Sequence, residues 1–389
     1  MQNIFQTIAL ATPMYVCLFW TFAFLLQSRK GHNSIRIMFG FMLTASLLYF
    51  GHFCVFNDLY GLIPITDTIY TFSTLSVYPI FYVYLVALTG KLNWKHWSCL
   101  LPGVLIGGII GICYFSMSKT ETFQFIEACI YKKAALPASA SAELSYVAHE
   151  LMKYTILLEI LFVLPLGFRR LSRFKEKVNG YFSNTEHKDL REIRLLLTFF
   201  VITSVFSMCA DLIGRSFFVD SFVLTAIPLL AFSSMLFIIG YVCNRQKFTI
   251  DDLAKESNST TALEYDLPIE DSTEEETLVQ KIDRKMKEEQ LFLQPDLKLS
   301  DLAEGLNTNR TYIYEAIKAI DQKNPVSFSD YVNRYRIEYS MMRLKDNPDE
   351  SIEDIMLQSG FISKSTYYNN FKKFTGMTPR EYINNMKRG

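Results

Sequence analysis

The residues of this chain with the most chemistry to offer are acids and bases stranded in apolar runs. Glu159 stands deepest, among leucine, isoleucine and phenylalanine, while His52, Asp58, Asp67, His149, Glu150, Asp211 and Arg215 lie toward the ends of such runs. An ionisable group at membrane depth is costly and by default marks a proton, ion or ligand site. Glu159, His52, Asp67, Asp211 and Arg215 are therefore the ligand-sensing candidates, Glu159 first among them. Asp211 and Arg215 stand four apart, a spacing that also suits a plain ion pair on one helix. Catalysis has no comparable signal: the sequence has no GxxxxGK phosphate loop, HExxH, GxSxG or kinase-like set of motifs. Its seven cysteines form no CxxC and mostly sit in or beside apolar runs, where they read as small buried hydrophobes. Cys113 and Cys129 are the one pair that a bridge could join. No enzyme activity, cofactor or metal site is expected.

Holding such groups requires elements able to sit in lipid. Half of the residues are hydrophobic and the formal net charge is +0, but both values average over unlike halves. Residues 1–243 carry about +5, residues 244–276 about −7 and the remainder about +2. In the first stretch, apolar runs repeatedly approach or exceed the ~20 residues that cross a hydrocarbon core. They cover 4–26, 35–56, 65–88, 97–117, 144–168, 195–213 and 221–243, the fifth interrupted by Lys153 and Glu159. No basic residue precedes the first run and no small-residue cleavage site ends it, so it reads as a retained anchor. Gly103, Gly107 and Gly111 repeat on the fourth at a spacing that lets helices approach closely, within one bundle or between the copies of a homodimer.

Cations decide the orientation. Arg29, Lys30 and Arg36 flank the first connection, Lys91 and Lys95 lie in the third, and Arg169, Arg170, Arg173, Lys175, Lys177, Lys188, Arg191 and Arg194 crowd the fifth. The second connection has none and the sixth only Arg215. The positive-inside bias then makes the odd connections cytoplasmic, with the N-terminus outside and the C-terminus inside a bacterial inner membrane.

After Cys243 the character changes. Residues 244–276 hold Ser257, Asn258, Ser259, Thr260 and Thr261, then Glu274, Glu275 and Glu276, with few large apolar residues. Such a segment reads as a flexible acidic linker, about 30 Å across for roughly 30 residues. From 277 onward the punctuation is helical. Leu278, Ile282 and Met286 mark one amphipathic face, Ser300 with Asp301 caps a helix over 301–305, and a turn at 307–309 precedes a helix over 310–320. Phe328, Tyr331, Val332, Tyr335, Ile337 and Leu344 suit a long linking helix that ends near Asn347 and Pro348. Ser351 then caps 352–358, Gly360 turns the chain, Ser363 opens a helix that Gly376 ends, and Thr378 with Pro379 starts a last one. The arrangement is two helix-turn-helix units in tandem.

These residues resemble the AraC-type bacterial transcription regulators. The resemblance is carried by Gly360 and Phe361, by Ser363 to Thr366, by Phe371 to Pro379 with Tyr382, and upstream by Leu299 to Ala303 and Tyr331 to Ile337; it covers roughly 280–386. Met356 departs from it, standing where the family usually has a small residue. The family's soluble ligand-binding barrel is also missing, and the apolar runs take its place. Carried over residue by residue, the resemblance implies that Arg310, Thr311, Tyr314, Glu315 and Lys318 face DNA from the first recognition helix. From the second it implies Lys364, Ser365, Thr366, Tyr368, Asn369 and Lys372. Asn369, Thr366 and Glu315 have the chemistry to read base edges, and Arg310, Lys318, Lys364, Lys372 and Lys373 suit phosphates.

The expected architecture is all-α: a seven-helix transmembrane bundle over 1–243, the linker, and a cytoplasmic tandem helix-turn-helix domain over 277–389. Its partners would be promoter duplex DNA, the lipid bilayer, RNA polymerase, an unidentified small-molecule or envelope signal, and a second copy of the chain. Two other readings fit the same pattern. The bundle could be a transporter that regulates its own expression, or the membrane could store a factor that proteolysis within the linker releases.

Overall fold

The computed structural model describes residues 4–29, 32–186, 188, 190–213, 222–246, 249–250, 252–253 and 277–388, with the side chains of 5, 206–213, 222–225 and 387–388 outside the description. Residues 254–276 of the acidic linker, Asp211's side chain and Arg215 fall outside it. The described elements are helical, apart from one isolated β-bridge. The chain divides into two compact units, Met1–Leu171 with Arg191–Ile250, and Ser172–Leu190 with Asp251–Gly389.

The first unit is built of helices, each of which satisfies its backbone hydrogen bonds internally. They are α1 (Ile4–Ser28), α2 (Asn33–Phe56), α3 (Ile63–Thr89), α4 (Leu101–Ser116), α5 (Lys119–Phe125), α6 (Ala140–Tyr181), α7 (Arg191–Ile213) and α8 (Phe222–Arg245). Among the described residues, six stretches are long and apolar enough to cross a membrane: Gln6–Ser28, Asn33–Phe56, Ile63–Thr89, Trp94–Ser116, Ala140–Tyr181 and Ala226–Arg245. The remaining predicted run coincides with α7. α3 is the most enclosed of the six and packs against α2 and α4. Around it Phe41, Tyr78, Phe81 and Phe200 interlock, the Tyr78 and Phe200 rings 5.0 Å apart.

The glycine stripe of α4 is used inside the chain. A Cβ built at Gly103 would lie 3.1 Å from the Phe72 carbonyl oxygen, and one at Gly107 3.3 Å from that of Thr68, so these glycines let α4 press onto α3. The six described cysteines are free thiols, Cys113 and Cys129 among them. The connection over 118–143 is folded rather than open: Ser118 caps α5, and Tyr131 donates to the Val55 carbonyl at 2.9 Å.

α6 departs from the sequence expectation. It continues past 168 to Tyr181, through the cations read as a loop. Charged side chains do not by themselves end a helix, and Leu171, Phe174, Val178 and Tyr181 recur at helical spacing and are all buried. On its apolar part, Val147, Leu151, Tyr154, Leu158 and Phe162 form an exposed stripe, whereas Ser145, His149 and Glu159 are buried.

The second unit comprises Ser172–Leu190 and α9 (Leu278–Glu288), α10 (Leu299–Gly305), α11 (Arg310–Lys318), α12 (Phe328–Asp346), α13 (Ile352–Gln358), α14 (Lys364–Thr375) and α15 (Pro379–Arg388). Asn309, Ser327, Ser351 and Ser363 each cap the helix that follows them. α10 begins two residues earlier than expected, at Leu299, because the Asp301 carboxylate accepts the Lys298 N–H at 2.8 Å. Ser300, expected as its cap, lies inside the helix and is buried. Met356 fits among Ile337, Leu344, Ile355, Phe361, Tyr367 and Phe371 in the second core, 4% exposed.

Candidate nucleic-acid interface

Each recognition helix is set by a short apolar face. In α11, Ile313 and Ile317 are buried, which turns Thr311 and Glu315 outward and leaves Arg310, Tyr314 and Lys318 half-exposed. In α14, Tyr367 and Phe371 are buried, leaving Lys364, Ser365, Asn369 and Lys372 exposed and Thr366 and Tyr368 half-buried. Most of the residues named from the resemblance thus fall on the solvent sides of these two helices, whereas Tyr314, Thr366 and Tyr368 are partly covered. Lys318 lies 3.7 Å from Glu315 and 5.6 Å over the Tyr314 ring. Lys364 lies 3.7 Å from Glu353. Exposed pairs of this kind are weak, on the order of 1 kcal/mol or less, so phosphates can compete for the lysines. Lys373 differs: it is bonded to Asp330 of α12 and ties the second recognition helix to the linking helix. Tyr368 rests edge-on against Tyr367, ring centroids 5.8 Å apart.

The turn of the second unit depends on Gly360. Its φ of +80° is one that side chains rarely adopt, and a Cβ there would lie 2.8 Å from the Phe292 carbonyl oxygen. The same carbonyl accepts a hydrogen bond from Arg336 Nε at 2.6 Å. Arg336 is 1% exposed, in register with the buried Val332, Ser340 and Leu344 of α12. Its guanidinium also donates to Asn333 Oδ1, to the carbonyls of Gln294 and Pro295, and to Ser183 Oγ at 3.2 Å. Burial lowers its pKa to about 10, with Asp296 opposing, so it stays charged at physiological pH. Asp283 of α9 accepts from both Tyr331 and Tyr335, and burial followed by this carboxylate pushes the Tyr335 hydroxyl up to about 12. Sequence reading gave Arg336 no role. The signal was an arginine standing alone in a buried i, i+4 stripe.

Residues 302–385 match the helix-turn-helix domain family. Over 93 residues the chain is 34% identical to the uncharacterized HTH-type transcriptional regulator SAS0078 of Staphylococcus aureus strain MSSA476, covering 24% of this chain and 12% of that protein. It is likewise 34% identical over 86 residues to the melibiose operon regulatory protein of Escherichia coli strain K12, covering 22% of this chain and 27% of that regulator. The helix-turn-helix domain is the shared part, and the chain spans only these fractions of the relatives it matches. No solved structure matches.

The sensing candidates of the first unit have separate surroundings. Asp67 Oδ2 accepts from Tyr114 at 2.8 Å and stands 3.0 Å from His149 Nε2, while His149 Nδ1 faces the Ser145 carbonyl at 2.7 Å. The two imidazole nitrogens thus face a carboxyl group on α3 and a backbone carbonyl one turn earlier on α6. His149, which lies outside the set of sensing candidates, is the partner that joins α6 to α3 here. Glu159 is 8% exposed, and neither carboxylate oxygen has a hydrogen-bond partner among the described residues. His52 instead lies among rings, 5.0 Å from Tyr70 and 6.0 Å from Tyr49.

Proposed function

We propose that the chain is a membrane-integrated, one-component transcription regulator of the AraC type. Its apolar unit sits in the bacterial inner membrane with the N-terminus outside, and its helix-turn-helix domain binds promoter DNA in the cytoplasm and acts on RNA polymerase. The observation that carries this reading is the tandem arrangement of α11 and α14. α11 presents Arg310, Thr311, Glu315 and Lys318, α14 presents Lys364, Ser365, Asn369 and Lys372, and α12 connects the two units they belong to. Recognition helices so linked suit successive major-groove segments about 34 Å apart. Six helices of spanning length and composition support the membrane location. The buried Asp67 with His149 and Tyr114, and the unpartnered Glu159, are the places where an envelope or membrane signal would shift a two-state bundle. Asp211 and Arg215 remain sequence candidates for the same role.

Genome-wide mapping of duplex bound by the full chain tests the reading. Sharp enrichment at a few promoters is expected, and a uniform profile would refute sequence-specific regulation. Release by proteolysis is the weaker account of signalling. A fragment of ~110 residues, roughly 12–15 kDa and no larger than a typical domain, would leave behind Phe182 and Ser183, which are built into the helix-turn-helix unit.

A further inference from the structure

Tyr314 has two claims on it. The DNA-binding reading turns it toward duplex, yet in the structure its ring lies on the backbone of Gly180, so close that a Cβ there would stand 2.8 Å from Tyr314 Cε2. The residues after Gly180 show why it is held. Tyr181 donates to Ser300 Oγ of α10 at 3.2 Å. Phe182, 1% exposed, forms an antiparallel bridge with Lys298. The Ser183 N–H donates to the Leu297 carbonyl at 3.1 Å, its own carbonyl accepts from Ser329 Oγ at 3.1 Å, and its hydroxyl accepts from Arg336. Asn184 Nδ2 reaches Asp296 Oδ1 at 3.4 Å. This is a specific seat, made by α10, α12 and the chain before α10, on the first helix-turn-helix unit.

We infer that Ser172–Leu190 is an intramolecular partner of the first helix-turn-helix unit, and that this strap and duplex DNA occupy the Tyr314 face in turn. The inference rests on the DNA-binding reading and adds its regulation. A face of one ring cannot pack on Gly180 and on a groove wall together, so the docked form binds DNA through the second unit alone. Gly180 and Tyr181 also close α6, the helix that carries His149 and Glu159, so the strap is covalently the end of a helix with sensing candidates on it.

The test uses full-length protein in phospholipid nanodiscs and duplexes that the parent itself retains from a random-sequence pool. In N184C/D296C, air oxidation should join the two thiols, as identified by mass spectrometry. The oxidised sample should bind the retained duplex about tenfold or more weakly than the same sample reduced, since the locked form keeps only the second unit for binding. In the parent, hydrogen exchange at the Ser183 amide should be slow alone and faster with duplex. A disulfide that forms without changing affinity, an amide equally protected with and without duplex, or a pair that never crosslinks would each overturn the strap. If the parent retains no duplex at all, the DNA-binding reading falls instead, and the strap with it.

Discussion

Asn369, Thr366 and Lys372 share one helix face and are expected to differ in what they lose. Asn369→Ala and Thr366→Ala remove hydrogen-bonding groups suited to base edges, so each should relax sequence preference, seen as a broader motif in selected duplexes. Lys372→Ala should weaken all sequences alike and flatten the dependence of log affinity on log salt by about 1. Footprints identical to the parent would refute these assignments. Arg336→Met is a structural test. It leaves several buried acceptors without their donor, including the carbonyls of Phe292, Gln294 and Pro295, and should destabilise the second unit by about 1–3 kcal/mol or more, read from hydrogen exchange over 277–388. The exposed set was legible in the sequence because its spacing against buried isoleucine, tyrosine and phenylalanine fixes a helix face. Arg336's partners were not, since four of its five lie more than forty residues away.

Helices and turns carry their own expectations. Gly360→Ala places a Cβ against the Phe292 and Leu293 carbonyls at a positive φ, and should cost about 1–3 kcal/mol, with earlier loss of protection in α13 and α14 than elsewhere. Gly107→Leu should separate α4 from α3, since even a Cβ would stand 3.4 Å from Phe72 Cβ, and should lower the temperature at which the detergent-solubilised protein aggregates. Caps and glycines made most boundaries readable. The end of α6 lies beyond its apolar run because cations suit a loop and an exposed helix face equally, and Phe174, Val178 and Tyr181 continue the buried face.

For the molecule as a whole, the proposed topology has a direct check. A fluorescent protein fused after Gly389 should fold and shine in the cytoplasm, whereas alkaline phosphatase at the same point should stay inactive; the opposite pattern would remove the basis for DNA binding. The division into units cuts across chain order. Ser172–Leu190 precedes α7 and α8 in sequence but packs with the helix-turn-helix domain, so that domain is completed by residues about a hundred positions upstream.

Local information determined much of this protein. Hydrophobic run length, cap residues, glycine turns and helical periodicity depend on near neighbours, and together they specify apolar helices followed by tandem helix-turn-helix units. Tertiary structure decided which distant groups meet. Asp67 and His149 are 82 residues apart, and Ser183 and Arg336 are 153 apart. No periodicity reports such pairs, because burial and hydrogen-bond complementarity select them only once the helices have packed.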